Sequence, residues 1–468
     1  MKITLPDASE VARVLSDDHV PALRGGGDHH AARPSPHVQM IVRLEWLFLL
    51  LVALSLMVRP IPVALAEVPD GITTNDEHQP YQFDVNAARL GRRRVQGHTV
   101  ESARWIELDV ETATRILGDD WRRLIETLEA PPTGDPLWQR VYWRAFHARG
   151  PSPRVHVLCG KDGVAAVIPV RPTGGLVRQW SSGVTAHTPC WTLALARSPH
   201  VAAAALEHLM ASAQMLELGP LYTRGLETET LARAARERGF RVSQDARGAD
   251  AVIDLPASPA EFPLSRNLMS TTLRKKRRLT RLGQLEFDMI TGGPGLKQVL
   301  AECFSLETMG WKGQRGTPII SRPDTLQFYS ELAEASAAAG RLALYTMRLN
   351  STLIAFEYCL RYKGRIDMLK LSYHPHFGHH SPGNVLRFLL LEGEIKSGET
   401  RSYHMGLASP WKARWATRLE PLCRLRIYDP GIRGTAAYFV NSWTELARHQ
   451  AGLLRSAWRR FLGRWPAA

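Results

Sequence analysis

The residues of this chain whose types and spacing best suit chemistry lie between Tyr373 and Asn384. There His374, His376, His379 and His380 run into Ser381-Pro382-Gly383-Asn384. Serine before proline before glycine is the grammar of a helix start, with serine at the cap and proline in the first turn. Such a start presents unpaired N–H groups and the positive end of the helix dipole, and glycine lets an anion approach the backbone closely. The segment reads as a cradle for a pyrophosphate, and equally as ordinary helix-start chemistry. The four histidines have the composition of a metal cluster, but no carboxylate or cysteine accompanies them at ligand spacing, so no metal is expected. Hydrogen bonding to phosphates is their milder use. Five cysteines (Cys159, Cys190, Cys303, Cys359 and Cys423) show no C-x-x-C spacing, so neither a zinc site nor a disulfide framework is signalled, and all but Cys190 fall in expected strands or helices, where a cysteine is usually a small buried hydrophobe.

The elements that must position this loop are legible around it. Arg341 to Leu349, Thr352 to Leu360 and Arg365 to Tyr373 are strand-like runs joined by Asn350-Ser351 and Lys363-Gly364, an antiparallel meander. Val385, Leu386, Leu389, Leu390 and Ile395 carry helical spacing after Gly383. Upstream come a strand (Leu285 to Ile290) and two helices (Leu296 to Met309, Asp324 to Ala339); downstream a strand (Thr400 to Met405), a short helix (Trp411 to Ala416) and a last strand (Pro421 to Tyr428). The order is β-α-α-β-β-β-α-β-α-β. The segment from about 104 repeats it: a strand Trp105 to Asp109, helices Trp121 to Leu128 and Leu137 to His147, and a hairpin Val155 to Cys159 with Val164 to Val170. A helix His200 to Met215, a short strand Leu216 to Gly219, a helix Glu227 to Arg238 and a strand Ala251 to Leu255 follow.

With Glu307…Gly310-Trp311-Lys312-Gly313, Leu369-Lys370…Tyr373-His374-Pro375…Phe377…Ser381-Pro382-Gly383 and Gly406…Lys412…Trp415, this order resembles the GNAT acyltransferases, in particular the CelD-like branch associated with cellulose and exopolysaccharide biosynthesis. The likeness covers about 283 to 430 well and the earlier segment more loosely. Two positions depart from the family pattern: His374 and His404 stand where an acidic residue is usual.

The resemblance implies an α/β (α+β) fold of tandem GNAT-like domains, each a mixed, largely antiparallel sheet flanked by helices. The expected boundaries are an extension (1–95), an N-terminal domain (96–262), a basic linker helix (263–283), a C-terminal acyltransferase domain (284–434) and a basic amphipathic helix (435–468). It implies an acetyl-CoA or other acyl-CoA cosubstrate, no metal, and an amine acceptor, of a sugar, polysaccharide or cell-envelope precursor. Leu371, Ser372, His379, His380, Ser381, Pro382, Gly383 and Asn384 would hold the donor. His404, Glu357 and Tyr373, in that order, are the base candidates, and Glu307, Trp311, Lys312 and Lys412 would border the acceptor. A Fem-like transferase taking aminoacyl-tRNA, and a non-catalytic membrane-associated partner of exopolysaccharide synthesis, stand as alternatives.

A formal charge of +14 invites an anionic partner, and Arg266, Arg274, Lys275, Lys276, Arg277, Arg278 and Arg281 concentrate it on the linker. That run is either a solvated face or a patch for a CoA phosphate, a tRNA, an anionic glycan or a lipid head group. No aromatic residue interrupts Ser270 to Arg281, so base stacking is not indicated. Trp46 to Val58 is an uninterrupted apolar run, shorter than the roughly 20 residues that span a bilayer. Read from Met40, it resembles a secretory signal ending at Ala64-Leu65-Ala66; read in place, it is an anchor or part of an over-extended gene start. An acyl-CoA user is expected in the cytoplasm, with or without inner-membrane association. Trp443, Leu446, Leu453, Leu454, Trp458, Phe461, Leu462 and Trp465 form an apolar stripe among arginines, suited to docking on the core or to lying on an anionic membrane surface.

Overall fold

A computed structural model describes residues 103–462 apart from positions 129, 161–162, 175–176, 259–260, 262–263, 311–312 and 314–315. The extension with its apolar run, Trp311, Lys312 and Trp465 lie outside the described residues. The chain is a mixed α/β protein organised on one large sheet. Its first half runs β1 (Arg104–Leu108), α1 (Val110–Thr127), α2 (Pro136–Phe146), β2 (Arg154–Gly160), β3 (Gly163–Thr173), β4 (Gln179–Ser181), a two-residue β5 (Ala194–Leu195), α3 (Pro199–Met210), β6 (Met215–Tyr222), α4 (Leu226–Glu237) and β7 (Arg241–Asp254). The basic helix α5 (Arg266–Thr280) leads to β8 (Leu285–Ile290), α6 (Leu296–Met309), α7 (Pro323–Ala338), β9 (Leu342–Leu349), β10 (Thr352–Tyr362), β11 (Arg365–Tyr373), α8 (Pro382–Ser397), β12 (Ser402–Leu407), α9 (Pro410–Ala413) and β13 (Arg418–Tyr428). A long α10 (Ile432–Leu462) closes the chain.

The element order repeats, and the sheet shows how the repeats are joined. Its strands lie in the order β1-β2-β3-β4-β6-β13-β7-β12-β11-β10-β9-β8, with β5 paired to β3 off this path. Each half therefore gives its last strand to the other: β13 pairs antiparallel with β6, and β7 with β12. Between them β7 and β13 pair over ten positions, from Arg241↔Tyr428 to Val252↔Arg418.

Local chemistry explains the meander. Asn350 and Ser351 both have positive φ (47° and 64°), as do Lys363 and Gly364 (53° and 72°), which is the two-residue turn that matches strand twist. One face of the sheet carries α1 and α2 beside α6 and α7 in a shared core, where the Trp138 ring meets Phe328 edge-on at 5.1 Å. The other face is covered by α3 and α4 over the first half and by α5 and α8 over the second. The N-terminal part of α10 docks on the sheet centre, Glu445 reaching Arg247 of β7 at 2.9 Å. No helix among the described residues is long and apolar enough to cross a membrane.

Several elements outgrow their sequence-based bounds. The strand expected at Ala251 to Leu255 begins ten residues earlier, at Arg241, and the helix expected from Trp121 begins at Val110. The α3 helix ends at Met210, five residues short of expectation, because Met215 already belongs to β6.

Candidate functional site

The site begins where two parallel strands part. β11 and β12 pair only at Arg365↔Ser402, Ile366↔Tyr403 and Asp367↔His404. Beyond that point both strands bulge. On β11 the register with β10 slips so that Met368 faces Cys359 and Lys370 faces Tyr358, leaving Leu369 as the extra residue. On β12 the register with β7 slips between His404 and Leu407, around Gly406 at φ +70°. A bulge bends its strand and increases the local twist, so two bulges at one level drive the strands apart. The Lys412 ammonium, from α9, donates to the carbonyls of Met405 (2.6 Å) and Leu407 (3.0 Å), supplying donors to a strand end that has left β11.

The opening is a cleft of about 520 Å³ whose walls are the β11 segment 368–373, the start of α8, and Trp411 and Lys412. A short 3-10 turn, Pro375–His380, delivers the chain to Ser381, which takes a left-handed conformation (φ 52°, ψ 54°) and makes no side-chain cap bond. The first turn of α8 borders the cleft without a side-chain cap, while the Ser381 carbonyl accepts from the Asn384 and Val385 N–H groups at 3.0 and 3.2 Å. A Cβ on Gly383 would lie 3.7 Å from the Tyr373 ring, an ordinary contact, so the protein itself has room for a side chain where glycine stands. Tyr373 is 40% exposed on the same wall.

The basic helix α5 packs beside this loop. Lys275 Nζ donates to the His379 carbonyl. The His379 and His380 rings lie 3.8 Å apart, and desolvation, with the charges of His379, Lys275 and Arg278, holds the His380 pKa below its ordinary value. Among the described residues no group of three or more His, Cys, Asp or Glu is arranged to hold a metal.

A second cavity, of about 360 Å³, meets the cleft through the seam. It shares Met368, Leu369, Lys370 and Lys412 with the first and is otherwise walled by the first half's loop 184–189, Gly219-Pro220, Tyr329, Arg247 and Arg424. His187 projects here from that loop. Its ring stacks on Phe146, its Nδ1 lies 3.2 Å from the Tyr329 hydroxyl, and burial followed by the Lys370 charge pushes its pKa down to about 4.

Two of the three expected base residues are committed elsewhere. Glu357 is fully buried, ion-paired with Arg387 of α8 and hydrogen-bonded by the Tyr403 hydroxyl. Burial raises its pKa against the pull of Arg387, whose guanidinium also sits over the Trp411 and Trp415 rings at 4.8 and 5.3 Å. This arrangement ties α8 to β10 and α9 and exposes no carboxylate to a substrate. His404 is 5% exposed, with Nδ1 2.7 Å from Asp250 Oδ2 and Nε2 3.1 Å from Ser402 Oγ. Asp250 also accepts from the Tyr222 hydroxyl at 2.9 Å, and Arg365 spans Tyr222 and Asp367. His404 borders a different cavity, of about 310 Å³ beyond the paired end of β11 and β12, and not the cleft. The physical reason is the strand's alternation: it is the last residue before the bulge, and its ring faces the joint between the halves.

The structure brings Leu371, Ser372, Tyr373, Ser381, Pro382, Gly383, Asn384 and Lys412 to the cleft or its rim, with His379 and His380 on the approach beside α5. Glu307 is buried apart from them, its Oε2 accepting the Ile319 N–H at 2.7 Å, so it fastens the loop after α6. Burial raises the thiols of Cys190 and Cys303, which removes them as nucleophiles at neutral pH. His187, Arg247, Tyr329 and Arg424 escaped the sequence reading, since they come from four separate segments and carry no local pattern.

Residues 266–413 match the family model described as an acetyltransferase (GNAT) domain. No curated protein matches significantly. Among solved structures, FemX is 11% identical over 69% of this chain and 98% of its own (TM-score 0.46). The C-terminal domain of a candidate lysylphosphatidylglycerol synthetase from Agrobacterium fabrum is 13% identical over 69% and 95% (TM-score 0.42). A tandem GNAT protein from the clavulanic acid biosynthesis pathway is 13% identical over 70% and 99% (TM-score 0.39).

Proposed function

We propose that this chain transfers an acyl group from acyl-CoA to an amine across the seam between β11 and β12. The observation that carries the reading is the opening itself: two parallel strands that part after Asp367 and His404, a helix N-terminus at the end of one of them, a cationic helix beside it, and a second cavity on the far side. The pantetheine arm would lie along β11 where that strand has parted from β12. The pyrophosphate would sit at residues 379–384, and Lys275 and Arg278 would face the remaining phosphate. An amine entering from the far cavity attacks the thioester carbonyl, whose oxyanion is stabilised by backbone N–H groups near Leu371 to Tyr373. The carbon–sulfur bond then breaks, the thiolate takes a proton, and the nitrogen loses one. Tyr373 borders the thiolate's path. His187, neutral near pH 7, supplies a hydrogen-bond acceptor for the amine. An acyl-CoA donor would place the active face on the cytoplasmic side. An amino sugar of a polysaccharide or envelope precursor remains the acceptor suggested by the sequence likeness.

The cationic face of α5 also favours a second donor, an aminoacyl-tRNA, whose phosphates would extend past the cleft along Arg274 to Arg281. Calorimetry with acetyl-CoA and CoA on the full chain and on Gly383→Val separates the two. Micromolar CoA binding, weakened more than tenfold in a folded Gly383→Val protein, is the expected result. No CoA binding, with tRNA protecting α5 from chemical modification, would replace the first donor by the second.

A further inference from the structure

The far cavity has a charge pattern that the donor site does not explain. Among the described residues its lining includes Arg247, Lys370, Lys412 and Arg424 and no carboxylate. Behind the wall, the carboxylates that the guanidiniums of Arg247, Arg424, Arg426 and Arg448 share among the described residues are Glu217, Asp245 and Glu445. The sharing is unequal. Arg426 is fully engaged, with Glu217 at 2.7 Å and Asp245 at 2.6 Å. Glu445 accepts from Arg247 at 2.9 Å and Arg448 at 2.8 Å. Arg424 is left outside, 3.6 Å from the Glu217 oxygen that Arg426 holds and 3.9 Å from the Glu445 oxygen that Arg247 and Arg448 hold, beyond hydrogen-bond distance. Burial first, and then the Arg247 and Arg426 charges, lower its pKa against the pull of Glu217 and Glu445.

We infer that the amine acceptor carries an anionic oxygen group, a phosphate or a carboxylate, which docks on Arg424 and Arg247 in this cavity. The inference rests on the proposed transfer for its direction, since the amine must point through the seam toward the donor. A guanidinium fork matches such an oxyanion at two points. The apolar walls from Val184, Pro189, Pro220 and Leu422 exclude water and strengthen the attraction. At about 360 Å³ the cavity suits a head group rather than a length of polymer.

Calorimetric titration of the full chain with O-phosphoethanolamine, β-alanine and ethanolamine tests this without any donor. Vesicles of phosphatidylethanolamine, against phosphatidylcholine vesicles, form a separate arm. At least one anionic amine should bind ten or more times tighter than ethanolamine, with the advantage lost in Arg424→Gln, partly restored in Arg424→Lys and unaffected by Gly383→Val. A preference in solution points to a soluble metabolite, and one confined to the vesicles points to a lipid head group. Anionic amines that bind no tighter than ethanolamine together with vesicles of the two lipids that bind alike, or an anion preference that survives Arg424→Gln in a protein of wild-type circular dichroism, overturn the proposal. Loss of CoA binding alone would sink the donor assignment and leave this result standing.

Discussion

In the first half the parallel pair β4–β6 ends at Ser181 and Glu217, and the next residue stitches the seam shut. The Ser182 N–H donates to the Glu217 carbonyl at 3.0 Å, and its hydroxyl bonds both the N–H and the carbonyl of Gly219, each at 3.2 Å. In the second half the matching pair ends at Asp367 and His404, two residues before Gly406, as Glu217 lies two before Gly219; both glycines have positive φ (70° and 129°). There the strands separate, and Lys412 arrives from outside the pair to satisfy β12 alone. The helices that follow differ in the same sense: Ser198-Pro199-His200 opens α3 where Ser381-Pro382-Gly383 opens α8. One architecture is thus closed or open according to a few side chains at a single level of the sheet. The closed copy is put to use as a wall, since its loop 184–189 lines the second cavity beside the open seam.

The comparison can be broken most forcefully at Arg387. The α3 helix buries alanines against its sheet where α8 buries an ion pair. Arg387→Met should cost about 3–5 kcal/mol in urea denaturation by leaving the Glu357 carboxylate buried without its cation. Adding Glu357→Met should recover most of it. A single-variant loss under about 1 kcal/mol would mean that the ion pair does not hold the open half together.

Acid should act on the closed half instead. His156 and His187 both belong to it, and both pKa values are pushed down to about 4, by burial first. A folded pKa below the unfolded value of about 6.5 means that folding favours the neutral ring, so this stability is full above pH 6.5 and is lost as pH falls from 6.5 toward 4. For His156, 3% exposed, the expected loss is roughly 2–3 kcal/mol. Melting temperature against pH should therefore be flatter in His156→Gln than in the wild type; parallel curves would contradict the assignment. The smallest effect is expected at the stitch: Ser182→Ala should cost about 1–2 kcal/mol and raise amide hydrogen exchange at Gly219 while leaving β11 and β12 unchanged.

The open half was largely legible because its signals are local. Turn residues, apolar runs and the Ser-Pro-Gly helix start each announce themselves within a few positions. What escaped was non-local. Arg241 to Gly248 is too polar to read as strand, yet it lies at the centre of the sheet, where charge pairing replaces apolar burial: Asp245 of β7 holds Arg426 of β13 at 2.6 Å. His404 and Glu357 had the right chemistry for a base, but their partners Asp250 and Arg387 lie 154 and 30 positions away in sequence. No window around either residue could have shown that both were taken.

The exchange of last strands also sets a clock. The inner edge of β6 is covered only by β13, and β7 finds β12 only after the whole meander exists. On a ribosome, about 200 residues separate the end of β6 from the start of β13, which at ordinary elongation rates is roughly 10–40 s. Throughout that interval the first half carries an unpaired strand edge, the kind of surface that recruits chaperones or other nascent chains. The sheet can close only once β13 has emerged, so its completion is a joining of the two halves rather than the independent folding of each.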